Sequence, residues 1–260
     1  MDFDDVLTVV DRRYDYLAEL VDVPRHKRDL IQELGDSRST VDRATDELMA
    51  AGLLTRTEDG RFRTTVAGDV LRRTVDEARE TASTIVTARD LLEHAPNDVS
   101  FPPSLFRGSE VLIASGPAPL EMVDKVTSTL TSADRLRALS VADHDPRAFY
   151  DLYERGVVEG ELEVEVVFTP AMVERAYDAY PDIMAAAEDS STVSIYSSES
   201  VPFGLYVVEQ DGESTAIVTL YDENQLIQGG IRNSGADAVA WASETFESYR
   251  EEAVDAFANR

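Results

Sequence analysis

Asp36-Ser37-Arg38-Ser39-Thr40-Val41-Asp42-Arg43-Ala44-Thr45-Asp46-Glu47-Leu48-Met49-Ala50-Ala51-Gly52-Leu53-Leu54 is the stretch on which the fold turns. Val41, Ala44, Thr45 and Leu48 recur at i, i+3, i+4 and i+7, which places them on one helical face. Ser37 or Ser39 offers a side-chain oxygen to the amides that open this helix, and Gly52 takes the left-handed conformation that closes it. Arg38, Ser39, Thr40, Arg43, Asp46 and Glu47 are left pointing outward. Upstream, Arg28 to Leu34 reads as a short helix with Leu30, Ile31 and Leu34 apolar, ended by Gly35. Two helices separated by about three or four residues with glycine at the corner match the helix-turn-helix unit, of which the second is the recognition helix.

The flanks extend this reading. Residues 5 to 22 form an earlier helix with Val6, Val9, Val10, Leu17, Leu20 and Val21 as its apolar stripe, interrupted by Pro24. After Gly52, two short threonine-rich runs around Asp59-Gly60 signal a β-hairpin. A hairpin directly behind a recognition helix is a wing, and its Arg56, Arg61 and Arg63 are placed to meet phosphates flanking a groove. From Val66 to about His94 the pattern is helical without a break, about 29 residues or roughly 43 Å. A helix of that length is expected to link two domains and to pack against its copy in a homodimer. The boundary falls in Ala95-Pro96-Asn97-Asp98-Val99-Ser100-Phe101-Pro102-Pro103.

Beyond Glu110 the pattern changes to strands alternating with helices. Val111–Ser115, Arg135–Val141 and Leu162–Phe168 read as strands of an α/β unit with parallel pairing. Val193–Tyr196, Gly204–Glu209, Ala216–Tyr221 and Leu226–Ile231 follow without long helices, the last three as antiparallel hairpins. An amphipathic helix carrying Val239, Ala242, Phe246, Tyr249, Ala253 and Phe257 ends the chain. The expected fold class is therefore α+β in two domains: a winged helix-turn-helix over 1–65, a linker helix over 66–98, and an α/β domain with a mixed sheet over 99–260.

Composition limits the function. Asp+Glu number 51 against 24 Lys+Arg, for a formal net charge of −27, and Lys27 and Lys125 are the only lysines. Residues 1–73 hold 12 basic and 16 acidic side chains, and the remainder 12 and 35, so the N-terminal part is the relatively basic one. Apolar periodicity persists throughout, so the acid excess reads as adaptation to a salt-rich cytoplasm rather than as a disordered tail. Cysteine is absent, which excludes disulfides, thiolate metal sites and a cysteine nucleophile. No signal peptide or membrane-length apolar run is legible, and a cytoplasmic location is expected. His26, His94 and His144 lack metal-ligand spacing, so no metal or cofactor is expected. Asp143-His144-Asp145 and Asp222-Glu223 come without a nucleophile elbow, and no enzyme is expected.

Arg38, Ser39, Thr40 and Arg43 are the candidate readers of double-stranded DNA, because arginine reaches guanine O6 and N7 while Ser and Thr bond phosphates or bases. The competing description is a solvated helix face with Arg43 paired to Glu47. In the C-terminal half, ligands of open α/β sheets sit beyond the carboxyl ends of strands. That nominates Ser115 with the Gly116-Pro117 turn, His144 and Thr169 for a small-molecule effector, against plain capping or loop packing. Two rival functions stand beside DNA reading: a winged helix that contacts another protein, and an enzyme built on the α/β half.

Three stretches carry a family resemblance. They are Arg38–Arg43 with Glu47–Leu53, Gly160–Pro170 followed by Ala179-Tyr180-Pro181, and Val201–Leu205 with Trp241, Phe246 and Tyr249. In these the chain resembles the haloarchaeal winged helix-turn-helix transcriptional regulators whose C-terminal half is the sensor-type domain of methanogenesis regulatory proteins. The resemblance implies a dimeric DNA-binding regulator with a ligand-sensing or protein-contact domain, and it supplies no ligand.

Overall fold

The computed structural model describes residues 3–114, 119–141, 150–151 and 153–258. The chain divides into two compact units, Met1–Glu80 and Thr81–Arg260.

The first unit is a winged helix-turn-helix. The helix expected over residues 5 to 22 is two helices, α1 (Phe3–Arg12) and α2 (Tyr14–Glu19), because the backbone leaves helical geometry at Arg13. The break lets Val9 and Val10 on one helix and Tyr16 and Leu17 on the other bury into the same core. Helix α3 (Lys27–Leu34) ends at Gly35, whose φ of 68° is open to glycine at little cost. Helix α4 (Arg38–Ala50) starts at Ser37, the side chain of which accepts from the Thr40 amide at 3.2 Å. Val41, Ala44, Thr45 and Leu48 are its buried face. Thr45 is tolerated there because its hydroxyl donates to the Val41 carbonyl at 2.9 Å.

The wing is β1 (Leu54–Arg56) paired antiparallel with β2 (Phe62–Thr64), and the backbone of Arg25 adds a bridge to Phe62. Helix α5 (Val66–Thr87) follows and presses Gly68 against the wing's root. A Cβ at Gly68 would lie 2.2 Å from the Leu53 carbonyl oxygen, so only glycine allows this approach. Leu71 and Val75 pack on the first core, while Arg79 lies over the Tyr14 ring at 4.2 Å and pairs with Asp11 at 2.8 Å. The continuous helix expected to His94 is interrupted at Ala88, after which α6 (Arg89–Leu92) starts.

The second unit contains α7 (Pro103–Phe106) and an eight-stranded sheet. Its strands are β3 (Glu110–Ile113), β4 (Arg135–Ser140), β5 (Glu163–Phe168), β6 (Val193–Ser197), β7 (Gly204–Gln210), β8 (Glu213–Tyr221), β9 (Ile227–Asn233) and β10 (Val254–Asp255), in the order β10-β6-β5-β4-β7-β8-β9-β3. β4, β5 and β6 are parallel; every other pairing is antiparallel. The expectation of parallel pairing for the first strand is corrected, since β3 runs antiparallel to β9 at the far edge.

Alternation sends Leu136, Ala138, Val164, Val166 and Ile217 to one face of the sheet and Leu139, Val167, Val207, Val218 and Ile231 to the other. The first face is covered by α8 (Pro119–Thr131), α9 (Pro170–Ala179) and α10 (Pro181–Glu188). The second is covered by α6, α7 and α11 (Ala236–Glu252), giving three layers. Asn233 ties α7 to the sheet by donating Nδ2 to the Leu105 and Arg107 carbonyls, each at 2.9 Å. The last helix stops at Glu252, so Ala253 and Phe257 do not extend its stripe; the backbone turns extended at Ala253 and β10 pairs with β6.

Candidate nucleic-acid interface

Arg38, Ser39 and Arg43 are exposed on α4 and Thr40 is half-buried, so the expected readers share one outward face. What sets their chemistry is where the neighbouring acids go. Glu47 accepts from Nε of Arg13 at 2.9 Å, and that hydrogen bond holds its carboxyl below the ordinary value. Asp42 is taken by Lys27 from α3. Among the described residues, neither Arg38 nor Arg43 is within ion-pair distance of a carboxylate. The alternative in which Arg43 pairs with Glu47 is therefore not the arrangement found. Asp46 remains on the exposed side.

The three wing arginines are not equivalent. Arg56 lies over the ring of Phe62, its guanidinium carbon 4.9 Å from the centroid. Arg61 donates Nε to Asp59 Oδ2 at 2.7 Å across the Gly60 turn, which raises the pKa of the guanidinium and lowers that of Asp59. Arg63 is exposed on β2. Part of the Arg61 charge is thus already neutralised within the hairpin, whereas Arg56 and Arg63 have no carboxylate at ion-pair distance among the described residues.

Reading by sequence missed His26, Lys27 and Arg28, which line a hollow together with Arg56, Gly60 and Phe62. The signal was present as the run Arg25-His26-Lys27-Arg28, four consecutive basic-type side chains in a chain of net charge −27, one of them among its only two lysines.

Of the residues nominated for an effector, Ser115 and His144 lie outside the described residues. Thr169 stands at the carboxyl end of β5, where its hydroxyl accepts from the Met172 amide at 3.3 Å and caps α9. Among the described residues there is no cluster of His, Asp and Glu able to hold a metal ion. No described helix is long and apolar enough to cross a membrane.

Residues 2–87 match the family model described as HVO_A0261 N-terminal domain. Residues 119–252 match the one described as methanogenesis regulatory protein FilR1, middle domain. The comparison with curated proteins found no match. Among solved structures, TrmBL2, an archaeal chromatin protein, is 14% identical with a TM-score of 0.43, over 88% of this chain and 87% of that one. An IclR homolog from Microbacterium sp. strain HM58-2 is 13% identical with a TM-score of 0.25, over 94% and 97%. Nuc, a phospholipase D family member from Salmonella typhimurium, is 14% identical with a TM-score of 0.40, over 56% and 97%. Since the FilR1 model accounts for more than half of its length, the chain belongs to the family of the methanogenesis regulatory protein FilR1 middle domain, joined here to an HVO_A0261-type N-terminal domain.

Proposed function

We propose that this protein is a DNA-binding transcription regulator that acts as a dimer in a salt-rich cytoplasm and is not an enzyme. The observation that carries the reading is the exposed pair Arg38 and Arg43 on α4, neither within ion-pair distance of a carboxylate among the described residues, beside a wing that adds Arg56 and Arg63. Arg38, Ser39, Thr40 and Arg43 read base edges in the major groove, and Arg56, Arg61 and Arg63 contact the flanking backbone. Membership of a family described as regulatory supports this, as does the likeness of the first unit to an N-terminal domain family of its own.

Residues 1–65 are the reading head, 66–98 the linker and 99–260 the sensor domain in this proposal. Dimerisation through α5 is supported by apolar side chains left in solvent along it: Val66, Val70, Ile85 and Val86. An effector would bind beyond the carboxyl ends of the parallel strands, where Thr169 stands, and shift the preferred spacing of the two reading heads.

A gel shift with genomic fragments in molar KCl tests the reading. Wild-type protein should retard a subset of fragments, and Arg43→Ala should lose them while keeping its fold, because an exposed side chain contributes little to stability. Equal retardation by the two proteins removes Arg43 from the readers; no retardation by either overturns the regulator reading.

A further inference from the structure

The hollow between the start of α3 and the wing has a volume of about 400 Å³ and is lined by His26, Lys27, Arg28, Arg56, Gly60 and Phe62. No carboxylate is among those lining residues, although acids outnumber bases 51 to 24 in the chain. Two of the cations have an acid partner of their own: Asp29 accepts from the His26 amide at 3.1 Å and from Arg28 Nε at 3.1 Å, and Asp42 pairs with Lys27. Arg28 still projects outward with its side chain 84% exposed. On the opposite wall Arg56 rests on the Phe62 ring, which fixes the guanidinium without neutralising it.

We infer that this hollow seats one phosphate of a DNA backbone. The inference rests on the DNA-binding function proposed above and adds to it a contact, made by Lys27 and Arg28 together with Arg56, that lies outside the reading face of α4. The ligand chemistry is that of a phosphate oxyanion: donors and cations converge, and the only large apolar side chain, Phe62, is buried and covered by Arg56. The open form of the hollow, bounded by two elements of a DNA-reading module, favours a phosphate carried on a polymer over a small free anion. Such a contact holds the module in register on the duplex and carries no sequence information itself.

The test compares wild type, Arg28→Gln, Arg56→Gln and the double variant on several unrelated duplexes, at the lowest KCl at which circular dichroism shows all four folded. Each substitution should weaken binding by roughly three- to fivefold at sub-molar salt, by the same factor on every sequence. A duplex carrying single neutral methylphosphonates, moved one position at a time, should reveal a position that weakens wild type but not the double variant. If wild type and both single variants bind all duplexes equally, the phosphate seat is refuted while the reading face stands. If the ring signals of His26 respond to inorganic phosphate but DNA affinity ignores the substitutions, the occupant is a free anion and the backbone assignment is refuted. If wild type binds no duplex, this inference falls together with the proposed function.

Discussion

Arg13, at the break between α1 and α2, donates Nε to Glu47 on α4 at 2.9 Å, and in doing so occupies the carboxylate four residues beyond Arg43. The ion pair ties the α1–α2 break to α4 and keeps Glu47 engaged beside the outward face that carries Arg43. Arg13→Ala should cost about 1 kcal/mol of stability, since the pair is only partly screened by solvent. The larger effect should be on DNA: a released Glu47 is at i+4 from Arg43 and will pair with it. Binding should weaken in Arg13→Ala and recover in Arg13→Ala/Glu47→Ala, as followed by fluorescence anisotropy. Failure of the second substitution to restore binding would show that Arg13 acts by other means.

The same pair sets an acid limit. Glu47 is held below its ordinary 4.5 chiefly by the hydrogen bond from Arg13, so its contribution to stability is complete above pH 4.5 and drains as the pH falls through the lower folded value. The stability difference between wild type and Glu47→Gln should therefore be constant at neutral pH and shrink below pH 4.5. Denaturant melts across that range measure it; a gap that widened toward acid would contradict the assignment.

Gly68 offers a test of packing. Its missing Cβ is all that separates α5 from the Leu53 carbonyl, and a backbone atom cannot move aside as a flexible side chain does. Gly68→Ala should destabilise the first unit by roughly 2–3 kcal/mol despite the better helix propensity of alanine. A stabilised variant would mean that the start of α5 is not held against the wing.

Salt should act in two opposing ways. Residues 74–260 hold 35 acids against 12 bases, so duplex DNA and this part of the chain repel until ions intervene. Affinity should rise first as KCl screens that repulsion, then fall as cations compete for the phosphates. The melting temperature should climb from about 0.1 to about 3 M KCl, where the Debye length shortens to a few ångströms. Tight binding at low salt that only declines, or a melting temperature indifferent to KCl, would remove the high-salt adaptation.

Much of the first unit was legible because its signals are local. Ser37, the apolar spacing from Val41 to Leu48 and the Asp59-Gly60 turn each specify their own few residues, and the helix and hairpin appear there. The breaks at Arg13 and Ala88 were not legible, since neither position carries proline or glycine. Strand order was invisible for a related reason: the alternation in Glu110–Ile113 marks a strand without naming its partner, which lies in β9 more than a hundred residues on. The hollow escaped because it exists only once His26–Arg28 and Arg56–Phe62 are brought together by the fold. Arg43 is the middle case, since its spacing to Glu47 suggested an ion pair that Arg13 pre-empts.

The short strand that follows α11 carries a consequence out of proportion to its two residues. β6 would otherwise present a bare row of amides and carbonyls, the kind of border along which sheets of separate molecules join into aggregates. Val254 and Asp255 lie along that border as a stopper, and Ala256 adds a further bond by donating its amide to the Ile195 carbonyl at 3.0 Å. In concentrated brine, where charge repulsion between molecules is muted, shielding a sheet's margin by geometry is a safeguard that ions do not erode.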